Sequence, residues 1–335
     1  MQHLRKILFP FSLLYGFVVS LRNKFFDWQL ISSQSYDFPV ICVGNLSVGG
    51  TGKTPMIEYL IRLLKEDFKL ATLSRGYKRK TKGFYLLKGN EEAVQTGDEP
   101  LQFKNKFPKI EVAVDENRQN GIENLRNLKP SPEIILLDDA FQHRKVSPGF
   151  SILLTAYGSL YKDDMILPAG NLREPKSGAR RADIVVITKC PEDLTLSEQE
   201  KIISGLKLKP HQTAFFSYIN YADKITNERE ERNLQDLKEF CLVTGIAKPQ
   251  PLVDFLQKKD LKFKYKKFPD HHNFSEEEIK DLDKESFILT TEKDFMRLKS
   301  SISADKLFYL SIQLDFLNKK EEFNSQILNW LSEKI

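Results

Sequence analysis

The chain has 335 residues, 41% of them hydrophobic and 29% charged, which is typical of a globular protein long enough to form two domains. Its 51 basic and 46 acidic residues leave a formal charge of +5 without a basic stripe, so nucleic acid is not an expected partner. The cysteines have neither metal-ligand spacing nor the number of a disulfide framework, and we interpret them as reduced thiols of a cytosolic protein. They are Cys42, Cys190 and Cys241.

An apolar run at the N-terminus, residues 7–21, has basic residues before and after it. Its length is below the ~20 residues that a membrane-spanning helix needs. A secretory signal has a similar start, but no convincing small-residue cleavage site follows. The flanking charges favour a helix that lies in the interface of an anionic leaflet, and packing on the protein's own core is the alternative. We therefore predict a membrane-associating helix within residues 1–30. Its amphipathic anchors would be Phe9, Phe11, Tyr15, Phe17, Phe25, Phe26 and Trp28.

A glycine-rich segment, residues 47–54, follows the apolar run 39–43 and precedes the helix-like run 55–64. A strand, a loop and a helix start in this order predict a phosphate-binding P-loop, although Ser47 replaces the first glycine of the strict pattern. A glycine-rich turn without a ligand is the alternative. We expect Lys53 to reach the β- and γ-phosphates of a nucleoside triphosphate and the Thr54 hydroxyl to ligate Mg²⁺. The predicted ATP-binding residues are Ser47, Val48, Gly49, Gly50, Thr51, Gly52, Lys53 and Thr54.

Short apolar runs alternate with helix-like segments through residues 31–213. Such near-continuous β-branched runs predict a mostly parallel α/β sheet with helices on both faces, as in P-loop NTPases. The predicted strands cover 69–74, 83–87, 110–114, 133–137, 150–155 and 182–188, and a helix-like stretch covers 117–128.

Two pairs of acidic residues lie where chemistry is expected. Asp138 and Asp139 end an apolar strand, and in P-loop proteins an aspartate at such a strand end holds Mg²⁺. Asp98 and Glu99 lie in a turn, for which simple turn or helix-cap chemistry is the alternative interpretation. Because ligands of parallel sheets bind at the carboxyl ends of strands, we expect Asp138 to face the P-loop.

The pattern changes after residue 213. Residues 214–239 include a charged stretch typical of a solvated connection, and we predict a linker there. A second strand–helix alternation with a capping box at Ser275 and Glu278 predicts a smaller α/β domain over 240–335. A cleft between two such domains would suit a second substrate.

Two adjacent histidines, His271 and His272, precede the capped helix in a chain that has only five histidines. A histidine near a helix cap is often structural. The pair favours a catalytic role, or a metal site completed by distant ligands.

Taken together, these residues resemble the tetraacyldisaccharide 4′-kinases, the lipid A 4′-kinases of Gram-negative bacteria, along nearly the whole chain. That family's loop also begins without the first glycine, which accounts for Ser47, whereas Ala140 stands where the family has glycine. The resemblance rests on Val43–Pro55, Ser74-Arg-Gly-Tyr77, Gly97-Asp-Glu-Pro100, Asp138-Asp-Ala-Phe-Gln-His143, Pro168-Ala-Gly-Asn-Leu-Arg-Glu-Pro175, Phe268-Pro-Asp-His271 and Thr291-Glu-Lys-Asp294.

The resemblance implies transfer of the γ-phosphoryl group of ATP, with Mg²⁺, to the 4′-hydroxyl of a tetraacylated glucosamine disaccharide 1-phosphate. It implies that the pair Asp98 and His271 takes the proton of that hydroxyl and that Lys53 neutralises charge on the transferring phosphate. The residues implied around Mg²⁺ are Thr54, Asp138 and Glu174. The implied supporting residues are Glu99, Asp139, Gln142, His143 and Tyr77.

The resemblance also implies a membrane-associated N-terminal helix. We expect a peripheral, monomeric protein on the cytoplasmic face of the inner membrane, where its partners are the glycolipid substrate and the anionic leaflet. The basic loop 75–80 would meet the anionic 1-phosphate of the substrate, or be a solvated loop.

Two alternatives stay open. A membrane-recruited regulatory ATPase also combines a P-loop with an amphipathic helix, but it carries a signature lysine where this chain has Val48. A GTPase is weakly suggested by Thr188-Lys189, yet residue 191 is proline where a base-reading element has aspartate.

Overall fold

The backbone alternates strands and helices, as the apolar pattern predicts. The computed structural model describes residues 5–270 and 272–335. The strands are β1 (Val40–Asn45), β2 (Leu70–Ser74), β3 (Tyr85–Leu86), β4 (Glu111–Val114), β5 (Ile134–Asp138), β6 (Phe150–Ala156), β7 (Ile184–Thr188), β8 (Thr213–Thr226), β9 (Glu231–Asn233), β10 (Glu239–Thr244), β11 (Lys262–Lys267), β12 (Ile288–Thr291) and β13 (Leu307–Phe316). The helices are α1 (Phe9–Asp27), α2 (Lys53–Leu64), α3 (Ala93–Thr96), α4 (Asp98–Lys106), α5 (Arg118–Arg126), α6 (Leu196–Leu206), α7 (Gln250–Lys258), α8 (Glu276–Leu282), α9 (Glu292–Leu298) and α10 (Lys320–Ser332), with 3-10 turns at Lys6–Leu8, Tyr161–Asp163, Lys176–Arg181 and Leu234–Asp236.

Within the described residues, thirteen strands form one sheet in the order β11-β10-β12-β13-β8-β7-β6-β1-β5-β2-β4-β3, with β9 paired to β8. Most neighbours are parallel, and the antiparallel pairs are β3 with β4, β8 with β9 and β8 with β13. We call β1–β7 and the helices packed on them the P-loop half, and β10–β12 with α7–α9 the C-terminal half. The predicted fold class, a mostly parallel α/β sheet, is confirmed.

The P-loop half has a core on each face of its sheet. Strand β1 is buried along its whole length, with Val40 and Cys42 in one apolar cluster and Ile41 and Val43 in the other. Alternate side chains of a strand point to opposite faces, so a strand covered on both sides needs a continuous apolar run. This double burial is the physical reason that the strands of this half could be found from sequence.

Residues 214–239, where the sequence predicts a linker, hold mostly regular structure. Strand β8 pairs in parallel with β7 over Thr213–Phe216 and then antiparallel with β13 from Ser217 onward. The charged stretch that suggested a linker is the β8–β9 hairpin, where the Asn227 side-chain oxygen accepts hydrogen bonds from the backbone of Arg229 and Glu230. The two halves are therefore joined by a β-ribbon.

The C-terminal helix α10 packs on the P-loop half, whereas the predicted domain boundary at residue 240 would assign it to the smaller domain. Helix α10 buries Phe323, Ile327 and Leu331 in the same cluster as Ile41 of β1. The ring of Trp330 packs against Phe150 of β6, with centroids 5.2 Å apart. The long strand β13 returns the chain to the P-loop half. Helix α10 then covers the sheet of that half with apolar residues at every fourth position.

The predicted capping box of α8 is confirmed. Ser275 Oγ accepts a hydrogen bond from the backbone N–H of Glu278 at 3.3 Å, and the Glu278 carboxylate accepts one from the backbone N–H of Ser275 at 2.8 Å. The Nε2 atom of His272 lies 2.8 Å from the same carboxylate, which ties this histidine to the helix start.

Candidate functional site

The predicted P-loop has the strand, glycine-rich loop and helix start in the expected order. Strand β1 ends at Asn45, residues 46–52 form the loop, and α2 begins at Lys53. Gly49 and Gly52 have φ angles of 109° and 88°, in the region that disfavours side chains with a Cβ. The loop therefore leads directly into the N-terminus of α2, where anions are stabilised.

The loop is held from one side by the segment 168–175. The backbone N–H of Val48 donates to the carbonyl of Asn171 at 2.8 Å, and the N–H of Arg173 donates to the carbonyl of Leu46 at 2.7 Å. Ser47 forms a bridge with Leu172. These strand-like contacts fix the entry of the loop before any ligand binds.

The loop is held from the other side by the end of β7. Thr188 Oγ1 donates to the carbonyl of Thr51 at 2.8 Å, and Lys189 Nζ donates to the carbonyl of Gly50 at 2.7 Å. Asn45 Nδ2 donates to Thr51 Oγ1 at 2.7 Å. The residue pair that weakly suggested a GTPase thus braces the P-loop.

Lys53 faces Asp139. The Nζ atom of Lys53 lies 3.7 Å from Asp139 Oδ1, and the guanidinium group of Arg173 donates to the same oxygen at 2.7 Å. Burial alone would raise the pKa of Asp139, but Lys53, Arg173 and Arg118 hold it below its usual range. Asp139 is therefore ionised and fixes the lysine at the mouth of the loop.

Asp138 is buried beside this ion pair, and its Oδ1 atom has no hydrogen-bond partner. Burial, followed by the nearby charges of Glu99 and Asp139, raises its pKa to about 7. A buried carboxylate without a partner is costly unless a cation joins it. An unpartnered oxygen at the end of β5 thus fits a cation bound next to the P-loop.

The structure also tests whether these residues suit Mg²⁺. Among the described residues, no three His, Cys, Asp or Glu side chains are clustered so that they could hold a metal ion by themselves. Mg²⁺ does not require one, because it commonly takes one or two carboxylates together with phosphate oxygens and water. Asp138 and the hydroxyl of Thr54 have the donor chemistry that this arrangement needs.

Glu99 connects the P-loop to the C-terminal half. Its Oε1 atom accepts a hydrogen bond from Thr54 Oγ1 at 3.0 Å and an ion-paired hydrogen bond from Lys293 Nζ. Burial alone would raise the pKa of Glu99, but Lys293 and Lys53 hold it below its usual range. Asp98 and Glu99, predicted in a turn, form the first turn of α4.

Asp98, the predicted partner of His271, is bound by Arg297 of α9. Arg297 also donates to Asp294 at 2.8 Å, and its pKa is held above the usual range by Asp98, Asp294 and Asp270 despite burial. His271 itself lies outside the described residues. Asp270, the residue before it, is near enough to Arg297 to interact with its charge, and Arg297 also binds Asp98.

Glu174, implied as a metal neighbour, has other partners. Its buried carboxylate accepts hydrogen bonds from Arg181 at 2.8 and 2.9 Å, from Gln142 Nε2 at 2.9 Å and from Asn23 of α1 at 3.0 Å. A carboxylate occupied in this way anchors α1 to the segment 168–175, and none of its hydrogen bonds among the described residues goes to the P-loop.

The other supporting residues are dispersed. Gln142 donates to the carbonyl of Asn45 at 2.8 Å, at the end of β1. Burial, helped by Arg118 and other cations, lowers the pKa of His143 to about 4, so its imidazole is neutral at pH 7. Tyr77 is 67% exposed, with Lys78 Nζ 5.7 Å from its ring centroid.

Helix α1 contacts the protein through small residues and, near its end, through Phe26, whose ring is buried and does not face outward as a membrane anchor would. Ser12 Oγ accepts a hydrogen bond from the backbone N–H of Ala169 at 2.9 Å, and a Cβ on Gly16 would lie 3.2 Å from Ile166. The long apolar residues point outward, with Phe11 64%, Leu14 65% and Phe17 65% exposed. Within the described ranges, no helix combines the length and apolarity needed to cross a bilayer.

Four functional residues were not predicted from sequence: Arg173, Lys293, Arg297 and Asn45. Asn45, Arg173 and Lys293 lie inside three of the seven motifs, and Arg173 is next to Glu174, which was assigned a role. Motif position is the only hint for these three, and Arg297 lies in no motif, where an isolated basic residue is usually solvated.

Asp138→Asn is expected to stabilise the ligand-free protein at pH 8 by about 1–3 kcal/mol. The pKa of Asp138 is about 7 in the folded protein, against an ordinary value near ~4 in the unfolded chain. The protonated form therefore contributes stability that is full below about pH 4 and is lost as the pH rises through 7. Urea unfolding in EDTA should show a wide gap between variant and wild type at pH 8 and a narrower gap at pH 5.

Asp139→Asn is the matched control, because the pKa of Asp139 is held down and its charge is stabilising above the unfolded pKa. This variant should be less stable than wild type at pH 8. Equal free energies of unfolding for Asp138→Asn and wild type at pH 8 would contradict the expectation.

Comparisons with known proteins identify the family of this chain. The family model described as tetraacyldisaccharide-1-P 4′-kinase matches residues 4–332. A protein of Flavobacterium johnsoniae named tetraacyldisaccharide 4′-kinase is 50% identical, covering 100% of this chain and 99% of the relative, and one of Bacteroides fragilis is 44% identical, covering 98% and 94%. A crystal structure of LpxK from Aquifex aeolicus in complex with ATP has a TM-score of 0.78 and 32% identity, covering 98% of this chain and 99% of that chain. This chain therefore belongs to the tetraacyldisaccharide 4′-kinases, the ATP-dependent kinases of lipid A biosynthesis.

Proposed function

We propose that the P-loop, residues 47–54, holds ATP for transfer of its γ-phosphoryl group to the 4′-hydroxyl of a tetraacyldisaccharide 1-phosphate. The observation that carries the proposal is the braced loop with Lys53 at its mouth, beside the unpartnered carboxylate of Asp138. Backbone N–H groups and Lys53 orient the triphosphate, and Asp139 keeps Lys53 in place. The P–O bond to ADP breaks as the P–O bond to the sugar forms.

Thr54 and Asp138 would hold Mg²⁺, and the supporting observation is the orphaned Oδ1 of Asp138 near the start of α2. When bound, Mg²⁺ supplies positive charge that offsets the charge of the phosphate oxygens. Asp139 is occupied by Lys53 and Arg173, and Glu174 by Arg181 and its other partners. Both are therefore better suited to positioning other side chains than to binding the metal.

The pair Asp98 and His271 would take the proton of the attacking hydroxyl. A sugar hydroxyl is a weak nucleophile, so a positioned base removes its proton as the bond to phosphorus forms. Asp98 belongs to the P-loop half, whereas His271 follows β11 of the C-terminal half. The acceptor therefore binds where the two halves meet, and Asp98 orients the imidazole.

Helix α1 would lie in the membrane interface. A helix that packs Ser12, Gly16 and Phe26 against the protein and exposes Phe11, Leu14 and Phe17 leaves a large apolar surface, which a bilayer can bury. We propose that the protein works as a peripheral monomer on the cytoplasmic face of the inner membrane. Its partners there are the anionic leaflet and the glycolipid substrate, which presents its sugar at the same surface.

Leu14→Glu is expected to weaken binding to anionic vesicles at least about tenfold, because a leucine side chain contributes ~1.5–3 kcal/mol when buried and the new charge is repelled. Leu196→Glu is the matched control, since Leu14 and Leu196 are 65% and 67% exposed and lie on different helices. Vesicle flotation measures both variants. If Leu196→Glu weakens binding as much as Leu14→Glu, α1 is not the membrane contact.

The function is tested by transfer of labelled γ-phosphate from ATP, with GTP as the comparison, to a tetraacyldisaccharide 1-phosphate in mixed micelles. Label in the 4′-phosphorylated lipid is the expected result. ATP hydrolysis that vesicles stimulate without labelling the lipid would instead indicate a regulatory ATPase.

A further inference from the structure

Lys293 brings a positive charge from the C-terminal half to the P-loop. It lies in the first turn of α9, and its Nζ atom donates to Glu99 Oε1 of α4. The same oxygen accepts the hydrogen bond of Thr54 Oγ1 at 3.0 Å. The ammonium group of Lys293, from the C-terminal half, and the hydroxyl group of Thr54, from the P-loop half, therefore share one oxygen of Glu99.

The charges around Lys293 are those of the reacting centre. Burial alone would lower its pKa, but the carboxylates of Glu99, Asp98 and Asp138 hold it above the usual range. Glu99 is the partner of Thr54, Asp98 is the proposed partner of the base, and Asp138 is the proposed metal ligand. Lys293 is thus one of the cations that offset their charge in the ligand-free protein, together with Lys53 and Arg297.

Hydrogen bonds fix the backbone around Lys293 at the start of α9, whereas the long side chain of Lys293 can change its conformation. Asp294 is fully buried, and it accepts hydrogen bonds from the backbone N–H of Gly245 and from Arg297, both at 2.8 Å. The hydroxyl of Thr291 accepts from the backbone N–H of Asp294 at 3.2 Å. A fixed start of α9 with a flexible four-carbon side chain can move an ammonium group by a few ångströms without moving the helix.

We infer that Lys293 is a catalytic residue whose ammonium group moves from Glu99 to the γ-phosphoryl group of ATP and stabilises the charge on its oxygens during transfer. The inference rests on the proposed placement of ATP at residues 47–54. Phosphoryl transfer depends on such preorganised cations more than on covalent chemistry, and a cation supplied from a second element is worth about 10³–10⁵ in rate in comparable enzymes.

The competing explanation is an ion pair that only joins the two halves. Lys106 provides the comparison, because its Nζ bridges Glu58 at 2.8 Å and Glu292 at 2.7 Å, across the same boundary. The side chains of Lys106 and Lys293 are 20% and 28% exposed. Lys106 pairs with residues to which no catalytic role is assigned.

Lys293→Met is expected to lower kcat for lipid phosphorylation by about 10²–10⁴, while KM for ATP changes less than about fivefold. Lys293→Arg should restore part of the rate, since it keeps the charge with a different geometry. Lys106→Met should lower the melting temperature and leave kcat within about threefold of wild type.

A second readout does not depend on turnover. Fluoroaluminate with MgADP mimics the transferring phosphoryl group, and a transition-state mimic binds more tightly than the ground state. In calorimetric titrations, MgADP alone should bind Lys293→Met and wild type alike. Fluoroaluminate should tighten MgADP binding at least about tenfold in wild type and Lys106→Met, and about twofold or less in Lys293→Met.

Two results would overturn the inference: Lys293→Met with kcat within threefold of wild type, or fluoroaluminate tightening equal to that of Lys106→Met. If Lys293→Met does not fold, Lys293→Gln decides by the same two readouts, because it removes the charge and keeps a polar side chain that can donate a hydrogen bond to Glu99. Failure of the wild type to label the lipid would contradict the proposed function instead.

Discussion

Lys53→Met is expected to lower the rate of phosphoryl transfer by about 10³-fold or more. The Lys53 side chain is only 14% exposed and lies 3.7 Å from Asp139, so its charge is aimed into the loop and not into solvent. A buried, preorganised cation stabilises developing charge far better than a solvated one, and methionine keeps the side-chain length without the charge. The measurement is the initial rate of lipid labelling at saturating ATP.

Lys65→Met is the control for this experiment, because Lys65 caps the far end of the same helix and its side chain is 37% exposed. It should label lipid at nearly the wild-type rate. Activity of Lys53→Met within tenfold of wild type would remove the P-loop assignment, since no other part of the proposal could then explain transfer.

His271→Ala is expected to lower turnover by about 10²–10⁴ and to leave ATP affinity near that of wild type. A general base acts on the acceptor and not on the nucleotide, so the loss should appear in kcat. The rate of wild type should rise with pH as the imidazole loses its proton, and this rise should be absent in the variant. Rates of lipid labelling between pH 5.5 and 8.5 measure both effects.

His272→Ala is a stringent control because this neighbour has a structural role. Its Nε2 lies 2.8 Å from Glu278 Oε2, and its ring stacks on Phe268 with centroids 5.0 Å apart. It should lower stability while the pH profile keeps its shape. If His272→Ala lost the pH-dependent rise and His271→Ala kept it, the base would have to be reassigned.

Asp98→Asn should resemble His271→Ala if, as proposed, Asp98 acts through the imidazole. Residues that act as one unit give non-additive losses, so the double variant should be little slower than either single variant. Multiplicative losses would indicate that Asp98 and His271 act separately, and Arg297 would then be the partner that gives Asp98 its role.

The strands of the P-loop half could be predicted because burial on both faces leaves a signal along each strand, as in β1. Strand β8 could not, because it is half-exposed over much of its length and its neighbour β13 lies about 90 residues later in the chain. The pattern of apolar residues along a strand indicates how much of that strand is buried. It does not indicate which distant strand will pair with it, as β13 pairs with β8.

The candidate site divides in the same way. The P-loop and Asp138 have local signatures: glycines at fixed spacing and an acid after an apolar run. The roles of Arg173 and Lys293 depend on which carboxylate each one reaches, and Asp139 and Glu99 are distant from them in sequence. For Glu174 the resemblance implies a place near the metal, whereas its hydrogen-bond donors Arg181 and Gln142 became visible only in the fold.

The position of α10 has a consequence for the order in which the protein is completed during synthesis. The chain leaves the ribosome from its N-terminus, so the P-loop and its sheet emerge long before residues 320–332. Yet Phe323 and Ile327 are fully buried against that sheet, and Leu331 nearly so. The core of the P-loop half is therefore complete only after residues 320–332 have emerged, although its strands are made much earlier.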